Sequence, residues 1–422
     1  MGVIPMKHAY TKKDRDKAVI LAIVRRFGPI SRVAIQSMTQ YRPSTVSEYV
    51  RELIEEGLVY ESGRSDNPLG RKRILLRVNE AHSFLVAMEF DAETIRAAVL
   101  DLQPKVVTML TRPVDLEGGV DGVLDQLVSA AHQVIHDSGK DPARLRSIAF
   151  ADPGLVDRRR GVSVMCALLD FWQCVPLRQR FEAEFAVPFL LEGNTRAKGV
   201  AERALGAGGM ADDMVYVDYS TGIGAAVFSE GRMVRGHNES AGELGHTRVA
   251  ENGPACKCGS FGCLEAIAGV QALGTRLRRA VEEGSSSKAI ALAGGLEKVT
   301  GWTVLEAARQ GDKLSSSLVE NVGNHLGLGI ANLVNLFNPA LVVLGKNLAA
   351  AGPDLLQQIE RIVRRQALPS ATEKLEFRYG TLGDEAALLG AGLLVLDEMF
   401  AIPALKPPRF MVESEANLVV NE

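Results

Sequence analysis

At 422 residues the chain is too long for one ordinary domain, and with 46% apolar residues it can fill two or three cores. No apolar run reaches the length of a membrane span, and the basic N-terminus lacks the apolar stretch of a secretory signal. Five cysteines, odd in number and clustered, do not make a disulfide framework, so a reducing cytoplasm is the expected compartment. The net charge of −3 is unevenly spread. Residues 1–80 hold 15 Lys and Arg against 9 Asp and Glu, a head of +6 on a body of −9. That asymmetry suggests an anionic partner for the head alone.

In the head, Ile20, Ile23, Val24 and Phe27 recur at helical spacing, and Gly28-Pro29 stops that helix. In "ISRVAIQSMTQ" Ser31 is placed to cap a second, short helix. "YRPSTVSEYVRELIEEGLV" puts Val46, Val50, Leu53 and Ile54 on one helical face, and Gly57 ends it. Ser44, Thr45, Ser47, Glu48 and Arg51 lie opposite, with Arg42 at the start. "LVYESGRSDNPLGRKRILLRV" then reads as two strands around a basic tip holding Arg64, Arg71, Lys72 and Arg73. Residues 1–80 therefore have the plan of a winged helix-turn-helix. The third helix would read a DNA major groove with Arg42, Ser44, Thr45, Ser47 and Arg51. The wing would hold phosphates or enter the minor groove through Arg71, Lys72 and Arg73. The same pattern also suits a three-helix interaction domain with a solvated basic hairpin.

From Phe84 the pattern changes. "FLVAMEFDAETIRAAVLDL" reads as two apolar strands around a polar turn, and "VYVDYSTGIGAAVFSEGRMV" repeats that layout further on. Leu124, Leu127, Val128, Ala131 and Ile135 share a helical face. "LRSIAFADPGLVD" is a strand with a tight Pro-Gly turn, and "HLGLGIANLVNLFNPALVVLG" is a buried helix followed by a strand. The fold class is α/β, with two related lobes and a cleft between them. The lobes are expected over 84–195 and 196–400, the latter with a cysteine-rich loop and C-terminal helix. Residues 401–422 contain prolines and little pattern, and read as a loosely docked tail.

The winged helix followed by "ADPGLVD", "YSTGIGAAVF", "GELGH", "CKCGSFGCLE" and "NLVNLFNPALVVLG" resembles the ROK family of repressors, open reading frames and sugar kinases. The resemblance runs from about Asp16 to about Leu393. It implies an actin/hexokinase-like (ribonuclease H-like) two-lobe body. Members with a DNA-binding head resemble xylose-type and N-acetylglucosamine-type repressors. In the loop, Cys256, Cys258 and Cys263 bring three thiolates onto a short turn and His246 adds a nitrogen, a closed tetrahedral set for a structural zinc. Gly259 and Gly262 would let the chain fold tightly enough for the thiolates to meet. The resemblance further implies that Glu243, His246 and Glu265 contact sugar hydroxyls. Carboxylates suit vicinal hydroxyls because each accepts two hydrogen bonds.

Three departures weigh against a kinase. The family's Asn-Asp pair, whose Asp takes the proton from the attacking hydroxyl, is Gly193-Asn194 here. An amide cannot accept that proton, so Asn194 is expected only to bind effector. The glycine-rich phosphate turn is replaced by "EFDAET" from Glu89, and Gly345-Lys346 stands in place of a double glycine. Arg196 and Lys198 are expected solvated or paired on a helix surface, with an acidic or phosphorylated sugar as the alternative use. Phe171 and Trp172 are expected to pack under the cleft, and Cys166 and Cys174 to pack as small apolar groups. The resulting expectation is a cytoplasmic regulator that binds operator DNA as a homodimer or tetramer. It would sense a carbohydrate, contain structural zinc and perform no catalysis. A residual sugar kinase and a regulator released by a partner protein remain open.

Overall fold

The computed structural model describes residues 11–65, 72–166 and 169–400. Arg71 and the tail 401–422 lie outside them.

The head is built from α1 (Lys12–Phe27), β1 (Ile30–Ser31), α2 (Arg32–Thr39), α3 (Pro43–Glu55), β2 (Val59–Arg64) and β3 (Ile74–Val78). Thr11 and Asp14 form a capping box at the start of α1, and Ser31 caps α2 by accepting from the Ala34 N–H. Pro43 occupies the first turn of α3, where a missing N–H costs nothing. Ile20, Ile23, Val24, Ile35, Val46, Val50, Leu53 and Leu76 bury completely between these elements. The wing has a third strand that periodicity did not reveal. Ile30 and Ser31 pair with Leu76 and Leu75, giving the order β1-β3-β2. Two residues are too short a stretch to show alternation.

The first lobe adds β4 (Phe84–Phe90), β5 (Thr94–Leu100), β6 (Val106–Pro113), α4 (Gly119–Asp137) and β7 (Leu145–Asp152). After these come a small sheet of β8 (Leu155–Asp157), β9 (Val162–Met165) and β10 (Gln173–Val175), then α5 (Leu177–Phe185) and β11 (Phe189–Gly193). The main sheet runs β11-β7-β4-β5-β6. Next come α6 (Asn194–Leu205), β12 (Met214–Tyr219), β13 (Ile223–Ser229) and β14 (Arg232–Met233). Helices α7 (Leu264–Ala268), α8 (Val270–Glu282), α9 (Ala289–Ala293), α10 (Gly301–Arg309) and α11 (Lys313–Phe337) follow. The chain ends in β15 (Leu341–Leu344), α12 (Pro353–Gln366), α13 (Pro369–Thr372), β16 (Glu376–Tyr379) and α14 (Ala386–Met399). The second sheet is ordered β14-β13-β12-β15-β16. The two sheets repeat one plan. A central strand, β4 or β12, is antiparallel to the strand after it and parallel to a strand reached by a helical crossover, β7 or β15.

Helices α4 and α5 cover one face of the first sheet through Val123, Leu127, Val134 and Phe181. Helices α8, α10, α11 and α12 cover the second sheet through Leu273, Val304, Ile330 and Ile359. The inner layer consists of α6 and α14, which pack on each other. Gly390 makes this possible: a Cβ there would stand 1.7 Å from the Ala197 carbonyl oxygen. Leu389, Leu394, Val395, Leu396 and Phe400 then join the apolar cluster that includes the head's Ile23, Val24 and Leu53. At that junction the Arg25 guanidinium lies 4.6 Å from the centre of the Phe400 ring, and its Nη1 donates to the Leu396 carbonyl at 3.4 Å. Burial of each large side chain there contributes about 1.5–3 kcal/mol, so head and body share a core.

Two aromatic and cysteine expectations need correction. Trp172 is fully buried in the first-lobe core, with Nε1 donating to Ser163, but Phe171 turns outward. Cys166 is buried, whereas Cys174 is exposed on left-handed backbone at φ 51° and packs against no core. Among the described residues no helix is long and apolar enough to cross a membrane.

Candidate functional site

The cleft forms where strands end. The β7 end passes into Pro153-Gly154, and β11 runs into α6 at Gly193-Asn194. The β12–β13 turn contributes Ser220 to Gly224, and the segment 241–246 brings Glu243 and His246. Together with Glu265 and Arg196 these residues enclose a cavity of about 130 Å³. At roughly 10–15 Å³ per water centre this is room for a small polar ligand, not a polymer.

Asn194, Glu243, His246 and Glu265 thus line one cavity. Glu265 is anchored in the first turn of α7, and its Oε2 accepts from the Ile223 N–H at 2.8 Å. Gly222 accommodates that carboxylate, since a Cβ there would lie 2.5 Å from it. Burial raises the Glu243 carboxyl above its ordinary value, against the opposing pull of His246 and Arg196. A carboxyl more easily protonated can both donate to and accept from a hydroxyl.

Below the cleft floor lies the His246, Cys256, Cys258 and Cys263 cluster, whose ligand atoms all fall within 4.8 Å of one another. Cys256 Sγ is 3.6 Å from His246 Nδ1, and Cys258 Sγ is 3.7 Å from Cys263 Sγ. Tetrahedral ligation at a Zn–S length of about 2.3 Å requires S···S near 3.8 Å, so the spacing fits a metal of that size. Gly262, at φ 71°, turns the chain so tightly that a Cβ would stand 2.0 Å from the Ala250 carbonyl. Burial pushes the Cys256 thiol up to about 12 and raises Cys263 as well. A bound dication reverses that preference and holds such thiols deprotonated. Nδ1 faces the cluster, which leaves Nε2 as the ring nitrogen available to the cleft His246 lines.

A second cavity of about 880 Å³ adjoins the first through Pro153, Asn194, Ser220 and Thr221. Its walls include Glu89, Asp91, Glu93, Arg96, Lys198, Asp218, Lys346, Asp384 and Glu385. Asp91 Oδ1 accepts the backbone N–H groups of Glu93 and Thr94, each at 2.8 Å. A phosphate oxygen would need donors of this kind, and the chain's own carboxylate already holds them. Lys198 pairs with Asp218 at 2.9 Å, and Arg96 with Glu89 and Asp91 at 3.3 and 3.4 Å. Arg196 is buried and ion-paired to Glu192 at 2.7 Å. Arg196 and Lys198 are therefore paired but sunk into the walls, not solvated on a surface. The missed signal was local: Glu192 and Arg196 are four residues apart across the strand–helix junction.

Residues 86–398 match the ROK family. This chain belongs to it. The DNA-binding transcriptional dual regulator NagC of Escherichia coli strain K12 is 31% identical over 385 residues, 91% of this chain and 92% of that protein. The crystal structure of a ROK family transcriptional regulator, a homologue of E. coli MLC, superposes with a TM-score of 0.80 at 25% identity, covering 95% and 99% of the two chains. A ROK glucokinase from Streptomyces griseus, solved with glucose and AMPPNP, has a TM-score of 0.65 at 25% identity. It covers 74% of this chain and 99% of its own. The family thus includes kinases as well as regulators.

On the ROK chain's head, Arg42, Ser44, Ser47 and Arg51 are exposed along α3, and Thr45 is half-buried. Lys72 and Arg73 are exposed at the wing. Arg71 cannot be placed, since it lies outside the described residues. The inner side of α3 is tied to α1 by Lys13–Glu52 at 2.6 Å and Lys17–Glu52 at 3.3 Å. The hydroxyls of Ser44 and Ser47 and the Arg51 side chain face outward.

Proposed function

We propose that this ROK chain is a sugar-responsive, DNA-binding transcriptional repressor of carbohydrate genes, and that it is not an enzyme. One observation carries the reading: Asp91 occupies the N–H groups of the turn where a kinase would hold phosphate. Asn194 lines the cavity at the position where the resemblance to kinases implies a general base, and an amide cannot accept that proton. The adjoining cavity keeps carboxylates, an imidazole and an amide suited to hydroxyls. Ligand can therefore be held without being converted.

In this reading α3 docks in the major groove through Arg42, Ser44, Thr45, Ser47 and Arg51, while Arg71, Lys72 and Arg73 meet the backbone from the wing. Glu243, His246, Glu265 and Asn194 bind the effector. Zinc on His246, Cys256, Cys258 and Cys263 is structural: with four protein ligands it would brace the loop that carries His246 and precedes Glu265. The protein would act in the cytoplasm as a homodimer or tetramer, because two heads at fixed spacing read a palindromic operator.

The test is a thermal-shift screen with xylose, N-acetylglucosamine, glucose and their phosphates, followed by operator release in a gel shift. A stabilising sugar that also releases operator supports the reading. Steady ADP production with any of these sugars and ATP would establish a kinase instead. An intact fold that binds none of them would shift the signal to a partner protein.

A further inference from the structure

Glu192, near the end of β11, is fully buried and faces three guanidinium groups from three parts of the chain. Arg196, one turn on in α6, donates from Nε to Oε1 at 2.7 Å. Arg235, in the segment leading to Glu243, reaches Oε2 through Nη1. Arg158, between β8 and β9, places its Nε 3.9 Å from the same Oε2, beyond hydrogen-bond range. Its Nη2 pairs instead with Glu398 in the last turn of α14. Glu239 is divided as well. Its carbonyl accepts Arg196 Nη1 at 2.7 Å, while its Oε2 stands 3.6 Å from Arg235 Nη1. Burial would raise the Glu192 carboxyl, but Arg196 and Arg235 outweigh it and hold the value below the ordinary one.

The charges balance, three guanidinium groups against Glu192, Glu239 and Glu398, yet the hydrogen bonds do not. Arg158 Nε and Glu239 Oε2 are buried and lack a hydrogen-bond partner among the described residues. A buried polar group left in that state is costly and calls for an explanation. Each orphan lies within 4.0 Å of the group that would satisfy it. Both would be satisfied by one exchange, in which Arg235 leaves Glu192 for Glu239 and Arg158 takes the vacated oxygen.

The two ends of the network have different neighbours. Arg196 lines the cleft, and the Arg235 segment continues into Glu243. No protein bond is made by Arg196 Nη2 among the described residues; it lies 3.4 Å from where a Gly193 Cβ would be, at the cavity wall. At the far end, Glu398 follows Leu396 and Asp397, which together with Phe400 hold Arg25 of α1. Helix α1 is in turn ion-paired to α3.

We propose that this network is a partner-exchange switch that carries cleft occupancy to the DNA-binding head. It rests on the reading of the cleft as an effector site. Ligand drawing on Arg196 or Glu243 loosens Arg235 from Glu192. Arg158 then turns to Glu192 and lets go of Glu398. The last turn of α14 is released, and with it the seat of Arg25. Packed, two-position elements of this kind convert small displacements into a shift between discrete states.

Glu398→Gln and Arg158→Gln test the switch, since neither residue lines the cleft or the operator face, and the half-exposed Glu398 pair adds little stability. Both variants break the Arg158–Glu398 pair, so without probe they should bind operator about as weakly as the wild type does with the sugar probe that releases it, while binding that probe no more weakly than the wild type. The probe-induced loss of operator affinity should fall by about tenfold, within the usual range of coupling energies. Undiminished release in both variants overturns the proposal. A second arm needs no ligand. Arg235→Ala imitates the exchanged state, and hydrogen exchange should quicken in residues 21–27 and 396–400. In a Glu398→Gln background Arg235→Ala should add nothing. Unchanged exchange in those segments overturns the switch. If exchange responds but no sugar releases operator from the wild type, the sugar reading fails and the switch stands.

Discussion

His246 Nδ1 faces Cys256 Sγ at 3.6 Å, so one ring joins the cysteine cluster to the cleft that also holds Glu243 and Glu265. A metal on the cluster and a ligand in the cleft would thereby be linked through a single side chain. Cys258→Ser should lower zinc content to near zero, reduce thermal stability and weaken sugar binding. Elemental analysis with a melting curve and calorimetry checks all three. Full zinc content with normal sugar affinity would remove Cys258 from the ligand set.

Ser47 and Arg51 stand one turn apart on the outward side of α3, and among the described residues Arg51 is ion-paired only to Glu55, loosely, at 3.9 Å. Neither supports the core, which is filled from Val46, Val50 and Leu53. Ser47→Ala and Arg51→Ala should both weaken operator binding with unchanged melting temperature. If Arg51 meets a phosphate, its loss should also reduce the salt dependence of binding by about one ion. Wild-type affinity in a gel-shift series for both variants would take α3 off the DNA.

Much of this was legible in the chain. Helical spacing and the basic tip marked the head, and the repeated strand–turn–strand layout anticipated the paired β4–β5 and β12–β13 hairpins. The Cys256-x-Cys258 spacing anticipated the cluster, because a short glycine-rich turn leaves its thiols nowhere else to go. What stayed hidden depends on contacts distant in sequence. Ile30 and Ser31 join a sheet only because Leu75 and Leu76 come to lie beside them. Arg196 and Lys198 look like surface charges until Glu192 and Asp218 are placed next to them. The Arg158–Glu398 pair spans 240 positions, beyond the reach of any local pattern.

Restoring a carboxylate at the base position should not create a kinase. In Asn194→Asp the turn at 91–94 remains closed, because Asp91 still holds the Glu93 and Thr94 N–H groups. The neighbouring wall keeps Glu89 beside Arg96 and Asp218 beside Lys198. No turnover is expected in a coupled ADP assay across xylose, glucose and N-acetylglucosamine. Measurable phosphorylation by this single variant would mean that the phosphate turn is open, and would reverse the argument built on Asp91.

Asp152, paired in register with Gly193 beside the cleft, gives a pH-dependent prediction. Burial pushes its carboxyl from 3.8 up to about 6, against the pull of the Gly154 N–H, Ser163 and Trp172. A folded value above the unfolded one means that the folded state holds the proton more tightly. The group's favourable contribution is complete below the unfolded value and is lost as pH rises through the folded one. Above that point the buried carboxylate costs about 3 kcal/mol, the shift converted at about 1.4 kcal/mol per pH unit. Asp152→Asn can still accept from Gly154 but never ionises. It should melt several degrees above the wild type at pH 8, with the gap holding down to about pH 7 and then shrinking toward zero between about pH 6 and pH 4. Melting curves that differ by the same amount at both ends of that range would show that the Asp152 carboxyl titrates alike in the folded and unfolded chain and that its surroundings already support the charge.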